Sequence, residues 1–206
     1  MVGFYNYTVI LTYMGLCSSV CGIAIAMNGN LKGALLTLLI SGLCDGLDGT
    51  VAKTMKRTDE EKRFGIQIDS LCDVICFGVF PALFLYALGV HSPFGMAVMA
   101  FYVLCGVIRL AYFNVTEETR QRTTTGARKE YLGVPISTAA LTTPFAFLFR
   151  PLFGEAFPIA YAVWLLIVGF SFIAPIRVPK PHGKGLIPVI GLGAIFFFWF
   201  IFAFKA

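Results

Sequence analysis

Charged side chains are scarce in this chain, and none occurs before Lys32. They make up 13% of its 206 residues, whereas hydrophobic residues make up 58%. A soluble domain carries about 25% charged residues, so this composition excludes an ordinary soluble protein. The first segment lacks the basic start and the small-residue cleavage site of a signal peptide, so we expect it to be a retained membrane span.

The residue patterns of zinc sites and disulfide frameworks are also missing. The six cysteines, at positions 17, 21, 44, 72, 76 and 105, form no CxxC pair, so we interpret them as small packing residues. His91 and His182 are isolated in predicted turns and are interpreted as solvated. Because no nucleic-acid motif, internal repeat or composition break is evident, we predict one membrane domain over residues 1–206 and no nucleic-acid partner.

Apolar runs of about 20 residues, the length of a helix that crosses the hydrocarbon core, predict the membrane spans. We expect an all-α, polytopic transmembrane helical bundle. Its seven predicted spans are residues 8–27, 31–56, 64–88, 94–115, 136–149, 157–174 and 186–204. The fifth is short and contains Pro144, which interrupts helical hydrogen bonding.

Basic residues cluster in alternate connectors, which predicts the orientation of the spans. These residues are Lys53, Lys56, Arg57, Lys62 and Arg63 after the second span, Arg120, Arg122, Arg128 and Lys129 after the fourth, and Arg177, Lys180 and Lys184 after the sixth. We therefore place this side and the N-terminus in the cytoplasm of a prokaryotic cell. The net charge of +5 on that face suits membrane lipid headgroups and a nucleotide diphosphate.

Four aspartates interrupt the apolar pattern of the second and third spans: Asp45, Asp48, Asp69 and Asp73. Carboxylates are costly in lipid and usually have a function there. Their spacings of three and four residues place each pair on one helix face. Hard oxygen ligands without thiolate or imidazole favour Mg²⁺, Mn²⁺ or Ca²⁺ over zinc. Two such ions can hold a diphosphate, so we predict a phosphotransfer site between the second and third helices.

Glycines at positions 42, 46, 49 and 65 remove side chains near this site, so helices or phosphates can approach closely. Asp73 is our candidate general base toward an alcohol. A cation transporter is the alternative function, because carboxylates inside membranes also line ion paths. Transporters commonly show broken helices and repeated halves, and the sequence has no evident repeat.

The aspartate region resembles the CDP-alcohol phosphotransferase family, whose signature reads D-x-x-D-G-x-x-A-R, a spacer, then G-x-x-x-D-x-x-x-D. The matching residues are Asp45, Asp48, Gly49, Ala52, Gly65, Asp69 and Asp73. Lys53 stands where the family has arginine, and it keeps the charge without the bidentate fork. The spacer is also longer than usual, and it falls in the charged connector where extra residues are tolerated.

Flanking segments resemble the branch of the family that makes phosphatidylserine. They are residues 64–82, which read FGIQIDSLCDVICFGVFPA, residues 109–115, which read RLAYFNV, and residues 131–135, which read YLGVP. The resemblance implies a homodimer with a six-helix core plus about one further span. It implies transfer of the phosphatidyl group of CDP-diacylglycerol to the hydroxyl of L-serine, yielding phosphatidylserine and CMP. Alternatives are glycerol 3-phosphate or an inositol phosphate as acceptor, or an archaeol donor.

The resemblance also implies residue roles. Asp45, Asp48 and Asp69 would be ligands of two divalent ions, with Asp73 sharing the second ion and serving as base. Gly49, Ala52 and Lys53 would lie along the CDP moiety.

Serine recognition is a separate hypothesis based on side-chain chemistry. Arg109 would pair with the serine carboxylate, and Asn114 and Ser70 would add hydrogen bonds. Two other readings of Arg109 remain open: pairing with an aspartate, or snorkelling to the surface. We interpret the segment from Thr116 to Val134 as a solvated connector.

Overall fold

A computed structural model describes residues 3–52, 54–123, 130–179 and Gly191. Within these ranges, the helices long and apolar enough to cross a membrane are Tyr7–Met27, Leu31–Ala52, Asp59–Ala87, Pro93–Arg120 and Arg150–Ile173. A shorter apolar helix covers Ile136–Phe147. The predicted polytopic bundle is therefore confirmed, and the chain is an integral membrane protein. The seventh predicted span, residues 186–204, lies outside the described residues.

The first two spans form a helical hairpin. Helix α1 (Ile10–Met27) follows a single 3₁₀ turn, and helix α2 (Leu31–Ala52) begins after a tight turn at Gly29, whose φ is +84°. Helix α2 ends four residues before the predicted position 56. The Thr54 hydroxyl donates to the carbonyl of Val51 over 2.7 Å, and such a bond competes with continued helix.

A buried polar seam joins α1 to α2. The Ser19 hydroxyl donates to Ser41 Oγ, and Ser41 Oγ donates to the carbonyl of Gly15, each over 2.8 Å. A Cβ on Gly15 would lie 3.3 Å from the Cβ of Cys44, so glycine allows the two backbones to approach closely here. These contacts set the register of α1 against the end of α2 that carries the aspartates.

The third span begins five residues earlier than predicted, as helix α3 (Asp59–Asp73). Its start is a capping box, in which the Thr58 hydroxyl accepts from the N–H of Glu61 and the Glu61 carboxylate accepts from the N–H of Thr58. The charged residues 59–63, which we assigned to a connector, therefore form the start of the helix.

A π-helical turn, Val74–Val79, follows Asp73 and leads into helix α4 (Phe80–Ala87). In an uninterrupted α-helix, the carbonyl of Phe77 would accept from residue 81, but Pro81 has no N–H. The buried hydroxyl of Tyr102 donates to that carbonyl instead, over 3.0 Å. The span thus continues through the membrane with a shifted register after Asp73.

Helix α5 (Pro93–Thr123) continues eight residues beyond the predicted end at Val115. The Glu117 carboxylate pairs with the Arg120 guanidinium over 2.6 Å, and pairs at this spacing stabilise helices. Our interpretation of residues 116–134 as a solvated connector was wrong at both ends. Its later part forms strand β1 (Glu130–Leu132), which pairs antiparallel with strand β2 (Arg177–Pro179).

Gly133 closes this two-stranded ribbon against the bundle. Its φ is +78°, and its N–H donates to the carbonyl of Ile176 over 2.8 Å. A Cβ at this position would collide with the carbonyl of Phe172, so only glycine fits. The predicted all-α class is confirmed, apart from this short ribbon.

The last described helices are α6 (Ala139–Phe147), α7 (Arg150–Phe153) and α8 (Phe157–Ile173). Pro144 lies inside α6, as predicted for the short fifth span. The aromatic rings of Phe84, Phe147, Phe157 and Tyr161 pack edge-on or stacked and connect α6 and α8 to α4.

All six cysteines are free. Four are buried as expected, whereas Cys17 and Cys21 are exposed on α1. His91 is exposed, in agreement with our interpretation, and its Nε2 lies 3.2 Å from the carbonyl of Tyr86. His182 lies outside the described residues.

Candidate active site

Carboxylates from α2 and α3 converge on one point. Asp45 and Asp48 lie in the last turns of α2, and Asp69 lies near the end of α3. One oxygen from each of the three lies within 4.8 Å of the others, and all three residues are partly buried. Carboxylates this close repel one another unless a cation or a proton lies between them.

Asp73 joins the cluster because its side chain lies close to that of Asp45. The side chain of Ser137, in the 3₁₀ turn before α6, also lies close to Asp45. All four predicted aspartates therefore lie together, and a third element of the bundle, the 3₁₀ turn before α6, approaches them.

Helix α1 also reaches the cluster. The hydroxyl of Thr12 donates to Oδ2 of Asp48 over 3.0 Å, and Thr12 itself is buried. Our sequence reasoning assigned no site residue to the first span or to the turn before α6, so it missed Thr12 and Ser137. A single hydroxyl carries no spacing signal, so no pattern in the sequence singled them out.

The donor set fits a hard divalent cation. Oδ1 of Asp69 is fully buried and has no hydrogen-bond partner among the described residues. An unsatisfied buried carboxylate oxygen is unfavourable unless a ligand satisfies it. Several carboxylate oxygens beside it form the oxygen-rich environment that Mg²⁺ and Mn²⁺ prefer.

A small cavity surrounds the cluster. Its lining comes from α1, α2, α3 and the π-helical turn, and consists of Leu11, Thr12, Gly15, Ser41, Asp45, Asp48, Asp69, Cys72, Asp73, Cys76 and Phe77. Apart from Leu11, Gly15 and Phe77, these residues carry hydroxyls, thiols or carboxylates, so polar groups form most of the lining.

The glycines near the site fall into two groups. A Cβ on Gly42 would collide with the Cβ of Ala140, so Gly42 allows α2 and α6 to pack closely. A Cβ on Gly46 or Gly49 would meet nothing within 4 Å, so these positions border open space beside the carboxylates. That space is available to a ligand. Lys53, one of the predicted CDP contacts, lies outside the described residues, whereas Ala52 is the last residue of α2.

Arg109 is buried, with 8% of its surface exposed, so it does not snorkel to the surface. Its guanidinium lies over the ring of Phe113, 5.0 Å from the centroid, and interacts electrostatically with Asp45. This proximity fits the reading in which Arg109 serves an aspartate, and its alternative role toward the serine carboxylate stays a prediction. A positive charge thus lies beside the acidic cluster, on the side of α5.

The other two predicted serine contacts bind each other. Ser70 Oγ and the amide of Asn114 are 3.0 to 3.1 Å apart, which links α3 to α5. Ser70 directly follows Asp69, so this pair lies next to the acidic cluster.

The fold and the site place the chain in a class of integral membrane proteins with a carboxylate site suited to divalent cations. The site lies where α1, α2, α3 and the π-helical turn meet. The family model for CDP-alcohol phosphatidyltransferase matches residues 5–174, a range that contains every described site residue. The chain belongs to the CDP-alcohol phosphatidyltransferase family, as the aspartate pattern indicated.

Several curated proteins are similar in sequence to this chain over much of its length. It is 33% identical over 177 residues to archaetidylserine synthase from Methanothermobacter thermautotrophicus, with 85% of this chain and 70% of that protein covered. It is 30% identical over 184 residues to CDP-diacylglycerol--serine O-phosphatidyltransferase from Mycobacterium bovis, with 86% and 62% covered. The protein of that name from Saccharomyces cerevisiae is 38% identical over 115 residues, with 54% and 41% covered. The chain thus spans between 41% and 70% of the length of these relatives.

Proposed function

We propose that the chain transfers the phosphatidyl group of CDP-diacylglycerol to the hydroxyl of L-serine, releasing CMP and phosphatidylserine. The observation that carries this proposal is the convergence of Asp45, Asp48 and Asp69 within 4.8 Å, in the order of the family signature. The names of the relatives support serine as the acceptor, because both archaetidylserine and phosphatidylserine contain it.

Asp45, Asp48, Asp69 and Asp73 would hold two divalent ions, Mg²⁺ or Mn²⁺, with Ca²⁺ as the alternative. When bound, such ions neutralise the diphosphate and stabilise the departing phosphate. The open space at Gly46 and Gly49 would admit the diphosphate, with Ala52 and Lys53 further along the CDP moiety. Asp69 Oδ1 supports this role, since it is buried without a partner among the described residues.

The transfer is a direct displacement at phosphorus. The serine hydroxyl oxygen forms a bond to the phosphorus that carries the lipid, and the bond from that phosphorus to the bridging oxygen breaks. CMP leaves with the bridging oxygen. Asp73 accepts the hydroxyl proton as general base, provided that the hydroxyl lies within hydrogen-bonding reach of it. No covalent intermediate with the protein is required.

The acceptor would lie on the α5 side of the cluster. Arg109 is buried beside Asp45, and a buried guanidinium favours a second anionic partner such as the serine carboxylate. The Ser70–Asn114 pair offers donors and acceptors to the ammonium and hydroxyl groups of serine.

An archaeol donor is the second candidate, because one relative is named archaetidylserine synthase. That candidate keeps the serine acceptor and the site chemistry and changes only the lipid chains. We propose further that the site faces the cytoplasm, with the N-terminus inside, and that the chain works as a homodimer. The clustering of basic residues in alternate connectors supports this orientation.

The test is a panel of donors and acceptors with the purified chain in detergent and Mn²⁺. CDP-diacylglycerol and CDP-archaeol are each combined with serine, glycerol 3-phosphate and inositol phosphate, and CMP release and lipid product are measured. We expect a lipid product with serine only. A product with a phosphorylated polyol instead would overturn the acceptor, and cation flux in vesicles without CMP release would favour the transporter.

A further inference from the structure

Helix α1 contributes a hydroxyl to the acidic cluster, although the family signature contains no residue of this helix. Thr12 donates to Oδ2 of Asp48 over 3.0 Å, and only 8% of Thr12 is exposed. Because this hydrogen bond goes to Asp48 itself, it orients the carboxylate of that candidate metal ligand toward an ion.

The position of Thr12 is set by contacts away from the cluster. The Ser41 hydroxyl donates to the carbonyl of Gly15 over 2.8 Å, one turn after Thr12, and Ser19 donates to Ser41 over 2.8 Å. Because these bonds hold α1 in register with α2, the Thr12 hydroxyl has little freedom to leave Asp48. The Thr12–Asp48 bond is therefore built into the helix pair.

We propose that Thr12 is a positioning residue that fixes Asp48 as a ligand through one oxygen and thereby favours Mn²⁺ and Mg²⁺ over Ca²⁺. The Thr12 hydroxyl takes one acceptor position on Oδ2, so Oδ1 is the oxygen with more lone-pair capacity for a cation. Mg²⁺ demands near-ideal octahedral geometry, whereas Ca²⁺ accepts more ligands and often takes both oxygens of a carboxylate. A carboxylate held to one oxygen therefore suits the smaller ion.

This inference rests on the proposed metal role of the four aspartates. The test therefore measures ion binding to the full chain in detergent, without lipid substrates. Free Mn²⁺ is measured by electron paramagnetic resonance, and Ca²⁺ binding is measured by its competition with Mn²⁺.

Thr12→Val keeps the shape of the side chain and removes the hydroxyl. We expect it to weaken Mn²⁺ binding by about 10-fold or more, the usual effect of losing an outer-shell partner. Ca²⁺ binding should weaken much less, so the ratio of the two affinities falls. Thr12→Ser keeps the hydroxyl and should restore most of the ratio.

Thr143→Val is the matched control. Thr143 is also buried, its hydroxyl lies 3.4 Å from that of Tyr161, and it does not line the cavity around the cluster. The Thr143→Val variant should have lower thermal stability but unchanged affinities for Mn²⁺ and Ca²⁺.

An unchanged Mn²⁺ to Ca²⁺ ratio in Thr12→Val, with Mn²⁺ still bound, would overturn the role of Thr12 alone. An equal loss in Thr143→Val would also overturn it, because the effect would then be one of packing. A parent chain that binds neither ion would overturn the metal site itself, and this inference with it.

Discussion

The amide of Asn114 on α5 donates to the hydroxyl of Ser70 on α3 over 3.0 Å. This bond ties the helix that carries Asp69 to the helix that carries Arg109, so the acidic and basic sides of the site share one rigid frame. We expect Asn114→Ala to lower the apparent affinity for serine more than that for CDP-diacylglycerol. Steady-state CMP release at varied concentrations of each substrate measures this, and an equal change in both would instead indicate a role in helix packing.

Asp73→Asn keeps the shape of the side chain and removes the base. Because a positioned general base typically contributes about 10²- to 10⁴-fold, we expect CMP release to fall by at least about 10²-fold. Binding of CDP-diacylglycerol should largely persist. Turnover is measured as CMP release and donor binding by equilibrium dialysis, and turnover close to that of the parent would remove Asp73 as the base.

Arg109→Ala should raise the serine concentration required for half-maximal rate. A charge-assisted hydrogen bond contributes about 1.5–3 kcal/mol, which corresponds to roughly a 10- to 100-fold change. Arg109→Lys keeps the charge and should recover part of the loss, because lysine lacks the bidentate fork. Parallel losses of serine and donor affinity would show that Arg109 instead maintains Asp45 and the packing around it.

Ser137→Ala tests the contact that the turn before α6 makes with Asp45. Loss of this hydroxyl frees Asp45 to shift within the cluster, so we expect a drop in CMP release of about 10-fold. Ser171→Ala is the control, since the Ser171 hydroxyl donates to the carbonyl of Val168 in its own helix. Equal rates in the two variants would contradict a positioning role for Ser137.

Gly42→Ala and Gly46→Ala should have opposite effects on stability. The new methyl at position 42 would collide with Ala140, and overpacking costs about 1–3 kcal/mol. At position 46 nothing lies within 4 Å, so alanine should be tolerated and should raise helix propensity by about 0.5–1 kcal/mol.

The measurement for this glycine pair is thermal unfolding in detergent without substrates. Adding Ala140→Gly to Gly42→Ala removes the opposing methyl and should restore most of the lost stability. A double variant as unstable as Gly42→Ala alone would show that contact between α2 and α6 is not the cause.

Much of the site could be predicted from the sequence because its carboxylates occur at regular helical spacings. Asp45 and Asp48, and then Asp69 and Asp73, lie on single helix faces, and lipid makes isolated carboxylates so unfavourable that their presence indicated a shared site. Five of the predicted spans were confirmed as long apolar helices. They could be predicted because the thickness of the hydrocarbon core requires about 20 consecutive apolar residues, a run that is visible in the sequence.

The remaining features depend on contacts between segments far apart in the chain. Thr12 and Ser137 are single hydroxyls without a periodic pattern, and their roles follow from how α1 and the turn before α6 pack against α2. In the π-helical turn after Asp73, the carbonyl of Phe77 accepts from Tyr102, a contact that forms only when α5 packs beside this turn. The β1–β2 ribbon pairs segments that the sequence analysis assigned to connectors. That residues 1–206 form one domain stays a prediction.

The most direct test of the account is CMP release from CDP-diacylglycerol and serine by the purified chain after exhaustive removal of divalent ions. The four carboxylates would then repel one another and could not hold the diphosphate, so we predict no turnover, with activity restored by added Mn²⁺ or Mg²⁺. Asp69→Asn should remain inactive after the ions are restored. Full turnover in the ion-free parent chain would contradict the proposal that the aspartates act through bound cations.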